Sequence, residues 1–192
     1  MTKPEKKDVD LERLKVFIVD NHNDLMRVFA LRSVVYMGGQ VCPFDEEFDG
    51  NDIAGATHVL ATYDGEPVGT YRLRWFGDFA KVERACVSPN YRANKIMFAM
   101  TTYGRKMIAQ KGYTYVIIHA QKRLTEYWEL HGFKVRDGRP SFFFSDYEYI
   151  EMGMDLSTNE AVIHKDMSPM VLNRKEGEWH KAGILEASAK RS

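Results

Sequence analysis

The feature that most constrains the fold is a predicted strand over 81–87 that stops at a proline turn and leads into a long amphipathic helix. Ser88-Pro89 ends the strand, because proline cannot donate a hydrogen bond to a sheet. From about Arg92 to Gln110, apolar residues recur at helical spacing, which predicts a helix with one buried face. A helix that begins directly after a strand presents several unpaired backbone N–H groups in one direction. The sequence therefore predicts an anion-binding turn at this junction.

The rest of the chain is predicted to alternate between strands and helices around this unit. Asp64-Gly65 predicts a tight hairpin between two of the strands. Strands are predicted over 14–19, 58–63, 67–76 and 113–119, from 133 onward and over 150–156, and helices over about 24–36 and 125–131. This order predicts a mixed α/β protein with one central sheet.

Length and local composition divide the chain into a core and two ends. A chain of 192 residues suits one well-cored domain. Residues 1–12 are mostly polar and are expected to be flexible. The segment 37–57 is long for a connection in a compact domain, and such loops are usually functional. Residues 157–192 follow the last predicted strand and are interpreted as a C-terminal extension. We expect features that are specific to this protein to lie there.

Charge and cysteine content exclude several function classes. The 27 Lys and Arg residues balance the 27 Asp and Glu residues, which argues against a nucleic-acid partner. No apolar run approaches the roughly 18 residues of a membrane span, and the charged N-terminus lacks the apolar middle of a secretory signal. Two cysteines, Cys42 and Cys86, form neither a metal site nor a disulfide framework. A cytoplasmic protein without a metal is therefore predicted.

Several short motifs stand in a characteristic order along the chain. They are Leu31-Arg32-Ser33-Val34-Val35-Tyr36, then Cys42-Pro43-Phe44-Asp45-Glu46 and Asp49-Gly50-Asn51-Asp52, the turn Arg92-Ala93-Asn94-Lys95-Ile96-Met97, and finally Ala120-Gln121, Leu124, Tyr127-Trp128 and Gly132-Phe133. Together they resemble the acyl-CoA-dependent N-acyltransferases of the GNAT superfamily, in particular its ElaA-like branch. The resemblance covers about 17–156.

This resemblance implies a fold and a co-substrate. The fold is a single mixed, mainly antiparallel central sheet with helices on both faces, formed by an N-acyltransferase-like domain over 13–156. The co-substrate is acetyl-CoA or another acyl-CoA, whose pantetheine and thioester carbonyl would be held by backbone groups near Cys86 and Val87. The cofactor-binding residues that it implies are Cys86, Val87, Arg92, Ala93, Asn94, Lys95, Ile96, Met97, Gln121 and Trp128.

The chain departs from the superfamily pattern at two places. Lys95 and Met97 stand where the pyrophosphate loop usually has small residues, which let phosphate oxygens approach the backbone. Trp128 stands where the superfamily usually has a tyrosine that acts as the proton donor, and an indole cannot serve as an acid near neutral pH. The usual acid is therefore predicted to be missing.

Candidate catalytic and substrate-binding residues lie on the predicted strands. Glu83 is predicted to be the general base, acting through a water, and the alternative is a solvated carboxylate paired with an arginine. Arg72 is a candidate for binding an acidic acceptor, or for a salt bridge to the long loop. His119 is a candidate lining residue of the acceptor pocket, and a purely structural histidine is the alternative.

Three functions are compatible with these observations. The first is an N-acyltransferase that moves an acyl group, most simply acetyl, from CoA to a primary amine of a small molecule or peptide, by direct attack in a ternary complex. The second is an N-acyl amino acid or acyl-homoserine-lactone type of synthase that uses acyl carrier protein. The third is a non-catalytic acyl-CoA-binding module. A homodimer through the final strands or the C-terminal extension is left open.

Overall fold

A computed structural model describes residues 8–157 and 161–189. Its strands are β1 (Leu14–Ile18), β2 (Thr57–Tyr63), β3 (Glu66–Trp75), β4 (Ala80–Val87), β5 (Tyr115–Gln121), β6 (Lys134–Val135), β7 (Phe142–Phe144) and β8 (Tyr147–Asp155). Its helices are α1 (His22–Arg32), α2 (Phe44–Glu47), α3 (Ile96–Gln110), α4 (Thr125–Leu130), α5 (Pro169–Leu172) and α6 (Ile184–Ala189). No helix in these two ranges is long and apolar enough to cross a membrane.

The strands form one mixed sheet in the order β1-β2-β3-β4-β5-β8-β6, with β7 paired to β8. Every pairing is antiparallel except that between β4 and β5, which is parallel. Tyr71 of β3 donates a hydrogen bond to the Met100 carbonyl on α3, whereas the next residue, Arg72, points to the opposite face. There it binds Asp52, which also binds Arg32 of α1. The predicted mainly antiparallel sheet with helices on both faces is confirmed.

Helix α1 begins at a side-chain cap and ends in a wider turn. The Asn21 side chain accepts a hydrogen bond from the Asp24 N–H, which satisfies one of the unpaired groups of the first turn. After Arg32 the chain continues as a π-helical segment, Ser33–Gly38. The helix predicted over 24–36 is present, but its last turn is π-helical, a geometry that is frequent at functional sites.

Helix α3 starts later than the sequence periodicity predicts. The prediction from Arg92 is wrong by four residues, because Ala93 adopts a left-handed φ of 67° and Arg92 is extended. Residues 92–95 therefore form a turn before the first helical residue, Ile96. Further along α3, a side chain at Gly104 would meet the Tyr71 hydroxyl, so glycine allows α3 to lie close to the sheet.

The parallel pairing of β4 with β5 is short, and this positions the site. Only three residue pairs join the two strands, the last of which is Val82 with Ile118. Beyond that pair the two strands separate: β4 remains paired with β3, and β5 remains paired with β8. Arg84 has a left-handed φ of 52° at a register shift between β3 and β4, as in a bulge that bends a strand. We call the resulting wedge between β4 and β5 the fork.

The described part of the C-terminal segment packs on the main core. Trp179 is only 8% exposed and belongs to the same apolar cluster as the sheet residues. Lys175 forms an ion pair with Asp20, and Lys111 of α3 forms one with Glu176. Residues 1–7, 158–160 and 190–192, which belong to the predicted flexible N-terminus and C-terminal extension, lie outside the described residues.

Candidate active site

A cavity of about 540 Å³ lies at the fork. Its floor consists of β4 and β5 residues on both sides of the last strand pair. Its sides come from the segment that follows α1 and from the β7–β8 hairpin. The lining residues are Tyr36, Gln40, Asp45, Glu46, Glu47, Asp49, Arg74, Lys81, Val82, Glu83, Arg84, Ala85, Ile118, His119, Ala120, Gln121, Leu124, Trp128, Phe142, Phe144 and Tyr149.

Glu83 lies on the β4 wall of this cavity, where both of its carboxylate oxygens are paired. One oxygen accepts hydrogen bonds from Arg72 Nη2 and Nε at 2.7 and 3.0 Å, and the other lies 2.7 Å from Lys81 Nζ. Burial by itself would raise the pKa of Glu83, but Lys81 and Arg72 more than offset it, so the pKa lies below its ordinary value. A carboxylate held in this way is a weak base, and the predicted role of Glu83 as the base stays a prediction.

Arg72 lies beneath the cavity and has no exposed surface. Its guanidinium binds Asp49 through two hydrogen bonds of 2.7 and 2.8 Å, and also contacts Asp52 and Glu83. The prediction that Arg72 binds substrate is therefore corrected, because its donors are already used by carboxylates and it does not line the cavity. The alternative, a salt bridge to the long loop, describes what Arg72 does.

Two further arginines bind the same acidic segment. Arg32, which is fully buried, binds Glu47 and Asp52, while Arg84 contacts Glu47 and Asp49. We call residues 39–56 the acidic loop; α2 is part of it. Breaking a buried ion pair by removing one partner costs about 3–5 kcal/mol, so these contacts fix the position of the acidic loop against the sheet.

The β5 wall carries His119 and Gln121. His119 Nε2 lies 3.1 Å from Glu151 Oε2, and the histidine ring meets the Phe142 ring edge-on. Gln121 is buried and donates to the Gln40 side chain and to the Tyr149 hydroxyl, which places it as a link between the walls. His119 thus lines the cavity, and its predicted role in an acceptor pocket stays a prediction.

The cavity has a cover that the sequence did not reveal. Ser145, at the tip of the β7–β8 hairpin, donates to Glu46 and lies 3.0 Å from the Cys42 sulfur, both in the acidic loop. Ser145 and Asp146 have positive φ angles of 44° and 63°. Such a hairpin turn usually contains Asn or Gly, so Ser-Asp gave only a weak turn signal. Hairpin and acidic loop therefore meet above the cavity.

The predicted anion-binding turn lies further along β4, at the start of α3. Arg92 and Lys95 are exposed, whereas the side chains of Ile96 and Met97 are buried in the core and can offer only backbone groups. Lys95 has an ordinary φ of −76°, so its position does not require glycine. Lys95, which stands where the superfamily usually has a small residue, therefore adds a positive charge at the turn without straining the backbone at this position.

Backbone groups of β4 point alternately toward β3 and into the fork. The Ser88 N–H donates to the Val68 carbonyl on β3, and the Ala85 carbonyl accepts from the Tyr36 hydroxyl on the other side. By this alternation the Val87 N–H points into the fork, while the Cys86 N–H points to β3. The expectation for Cys86 is corrected accordingly, and burial raises the pKa of its thiol to about 12.

Trp128 of α4 is both a core residue and a wall of the cavity. It is 8% exposed and packs edge-on against Phe133, with ring centroids 5.7 Å apart. Trp128 thus fills the core and lines the cavity, and its predicted place beside the acyl or pantetheine group stays a prediction. Within the described residues, no group of three or more His, Cys, Asp or Glu side chains is arranged to hold a metal.

A mixed sheet whose two parallel strands splay above an anion-binding helix start defines the class of acyl-CoA N-acyltransferase folds. The family model of the GNAT acetyltransferases matches residues 25–133, more than half of the chain. The chain therefore belongs to the GNAT acetyltransferase family, and it is an acyltransferase with N-acetyltransferase activity as its general function.

Individual relatives agree with this family. The chain is 28% identical over 142 residues to the uncharacterized N-acetyltransferase YjcF of Bacillus subtilis, which covers 73% of the chain and 94% of the relative. Escherichia coli ElaA has a similar fold, with a TM-score of 0.65 and 19% identity over 73% of this chain and 99% of that one. An aminoglycoside 6'-N-acetyltransferase solved with coenzyme A gives a TM-score of 0.60 and 14% identity, covering 73% and 96% of the two chains.

Proposed function

We propose that this protein transfers an acetyl group from acetyl-CoA to a primary amine by direct attack in a ternary complex. The observation that carries this proposal is the fork, which connects the turn at one end of β4, predicted to bind an anion, to a cavity of about 540 Å³ at the other. A donor that ends in a diphosphate and begins in a thioester would extend from the turn to the cavity.

The residues at the turn and in the fork fit this donor. Arg92 and Lys95 are exposed beside the start of α3, where the helix N-terminus favours an anion. The Val87 N–H faces the fork and could donate to pantetheine or to the acyl carbonyl. Acetyl-CoA supplies an activated acyl group with a thiolate leaving group, and the chain supplies binding and orientation.

The acceptor end of the cavity favours a cation. Asp45 and Glu46 of the acidic loop line it, whereas the charge of Glu83 at the fork is already balanced by Lys81 and Arg72. Phe142 and Phe144 of the hairpin add aromatic surface, which attracts ammonium groups through its π face. A small-molecule or peptide amine fits this combination. Both cysteines are free thiols, which agrees with the cytoplasmic location that we propose.

Calorimetric titration of the protein with acetyl-CoA tests the donor. We expect saturable binding that weakens about 10- to 100-fold in the double variant Arg92→Glu/Lys95→Glu, since charge-assisted contacts to phosphate contribute about 1–3 kcal/mol. The charge-matched control is Lys15→Glu/Lys134→Glu, which changes exposed lysines on β1 and β6 and should bind like the wild type.

The same titration distinguishes acetyl-CoA from the alternative donor, an acyl carrier protein. Binding of a long-chain acyl carrier protein with no binding of acetyl-CoA would contradict the proposal and favour the carrier-protein-dependent synthase. Release of CoA thiol is then followed with a panel of primary amines, including lysine, spermidine and an aminoglycoside. Turnover that requires a primary amine supports the proposed reaction, and absence of turnover with every amine contradicts it.

A further inference from the structure

We propose that His119, held by Glu151, is the group that takes the proton from the acceptor amine. This inference rests on the proposed function, because it assigns a catalytic residue to the same transfer. It concerns the β5 wall of the fork, whereas the sequence drew attention to the carboxylate on the β4 wall.

The His119–Glu151 pair is built by the register of the sheet. The two residues are direct partners across antiparallel β5 and β8, so their side chains share one face. Glu151 Oε2 lies 3.1 Å from His119 Nε2, while its other oxygen lies 2.6 Å from Arg136 Nη1. The carboxylate is thus fixed from behind by an arginine and orients the imidazole in front of it.

This arrangement leaves the second nitrogen of His119 open to the cavity. Because Glu151 is an acceptor, Nε2 carries the hydrogen and Nδ1 carries a lone pair in the neutral ring. Among the described residues none forms a hydrogen bond with His119 Nδ1, and this atom is not among the buried polar atoms without a partner. The side chain is 31% exposed and lines the cavity. Nδ1 can therefore meet an amine that enters there.

Glu83 faces the same space but has no comparable freedom. Val82 and Ile118 are paired, so the next residues, Glu83 and His119, lie side by side on one face where the strands part. Both oxygens of Glu83 are occupied, one by Arg72 and the other by Lys81. Protonating Glu83 would break ion pairs that fix the acidic loop. Protonating His119 at Nδ1 breaks no contact.

Burial, followed by the charge of Lys81, favours the neutral form of the His119 ring. Burial lowers its pKa first, and Lys81 of β4 lowers it further, while Glu151 of β8 and Glu83 of β4 act in the opposite direction. Arg136 and the nearby Arg139 both pair with Glu151 and reduce its influence. The net effect is a pKa below the ordinary value, so the ring is an unprotonated base at neutral pH.

The transfer is balanced with this base in place. The acceptor enters as an ammonium and gives one proton to His119 Nδ1, and the imidazolium releases that proton to water, which regenerates the neutral ring. The neutral amine nitrogen then forms a bond to the acyl carbon and the C–S bond breaks, so the electron pair of that bond leaves with sulfur. The second proton of the nitrogen passes to the thiolate, so the products are the amide and the CoA thiol. Glu83 stays ionised and stabilises the positive charge on nitrogen and imidazole.

Steady-state kinetics of His119→Gln with two acceptors test the proposal. One acceptor is a primary alkylamine, which is protonated at pH 7, and the other is hydroxylamine, which is neutral there. We expect kcat with the alkylamine to fall about 10²- to 10⁴-fold, as for loss of a general base. The loss with hydroxylamine should be much smaller, and the KM for acetyl-CoA should stay within about threefold of wild type. The control His164→Gln, in the C-terminal extension, should behave as wild type.

Variants of Glu151, which positions His119, add a readout that a merely structural role of Glu151 would not change. Glu151→Gln removes the group that raises the pKa of His119, so the acidic limb of the kcat/KM profile should move to lower pH while kcat falls about tenfold. Glu151→Asp should restore part of kcat. An unchanged kcat of His119→Gln, or equal losses with both acceptors, would overturn the proposal.

A readout without any acceptor separates this inference from the proposed function. Nitrogen-15 NMR of the His119 ring should show the tautomer with hydrogen on Nε2 in wild type. A hydrogen on Nδ1 would overturn the assignment of the base, even where acetyl-CoA binds as proposed. Conversely, the expected tautomer in a protein that neither binds acetyl-CoA nor acetylates an amine would contradict the proposed function, and with it the role of His119 in that transfer.

Discussion

The two walls of the fork hold their charged groups in opposite ways. On the β4 wall, Glu83 is paired with Arg72 and Lys81, and Arg72 is fully buried among carboxylates. On the β5 wall, His119 has one polar partner among the described residues, Glu151, and an open nitrogen. One wall is therefore fixed in charge and shape, and the other can change its protonation.

This difference separates two tasks that a single carboxylate could not perform together. A buried ion network holds the acidic loop only while its carboxylates are ionised. A general base must accept and return a proton in every cycle, with a pKa near the working pH. Placing the network on β4 and the exchangeable group on β5 lets the cavity keep its shape during the reaction.

Removing Arg72 should break the β4 wall and produce the largest effect. In Arg72→Met the carboxylates of Asp49, Asp52 and Glu83 lose their shared partner inside the protein. We expect the free energy of unfolding to fall by about 3–5 kcal/mol, the usual cost of an uncompensated buried charge. Urea unfolding followed by tryptophan fluorescence measures it.

The matched control for this variant is Arg74→Met, two residues along the same strand. Arg74 has a side chain that is 30% exposed and lies 3.9 Å from Glu83, so its loss should cost less than about 1 kcal/mol. Equal losses for the two variants would mean that the buried network does not fix the acidic loop.

Acidification should weaken the same wall by a smaller amount. Hydrogen bonds and charges from the arginines, and for Glu83 first from Lys81, outweigh burial and hold the pKa values of Asp49, Asp52 and Glu83 below their ordinary range. Their contribution to stability is complete above about pH 5, beyond the ordinary Asp and Glu values, begins to fall as pH drops through about 4, and is lost only below the lowered pKa values of the folded protein. Glu47 acts in the opposite direction, because burial raises its pKa.

Urea unfolding at pH 7 and pH 4 measures this dependence. Three lowered carboxylates outweigh one raised carboxylate, so the wild type should lose stability at pH 4. The variant Arg72→Met should lose less on the same change, since its carboxylates no longer have a common arginine. An equal pH dependence of the two proteins would argue against a coupled network.

Removing Lys81 should have a still smaller effect, which appears in the pH dependence of kcat/KM. Lys81 pairs with Glu83 and also lowers the pKa of His119. In Lys81→Met the pKa of His119 should rise, so kcat/KM should begin to fall at a higher pH during acidification. The rate on that limb should drop less than about tenfold, because a partly exposed charge pair contributes about 1 kcal/mol. The control is Lys122→Met, which removes an exposed partner of Glu148. An acidic limb of the kcat/KM profile that moves to lower pH would contradict the assignment of His119 as the base.

Most of the fold could be predicted from local patterns. The strands, the hairpin at Asp64-Gly65 and the two main helices follow from hydrophobic period and turn residues. The start of α3 could not, because the left-handed φ of Ala93 has no marker in a sequence that lacks glycine there. The short β7 strand was also missed, since Phe142–Phe144 has no alternation.

The site could be predicted only where a local motif marks it. The turn at Arg92 and the cavity wall at Trp128 lie within motifs, and Glu83 and His119 were found as polar residues on strands. Glu151 was missed, because its role depends on the register of β5 against β8. The burial of Arg72 depends on carboxylates that are 11 to 23 residues away along the chain, which no local pattern shows.

The contrast between the two walls is tested most directly by one NMR titration of the wild-type protein without ligands. The Glu83 side-chain carboxyl and the His119 ring carbon are followed together from pH 3 to pH 9, with Glu83→Gln and His119→Gln used to assign the two signals. We predict that Glu83 titrates below its ordinary range, and that His119 titrates below its own ordinary value and is neutral at pH 7. A Glu83 carboxyl that titrates above its ordinary range, or a His119 ring still charged at pH 7, would contradict the account.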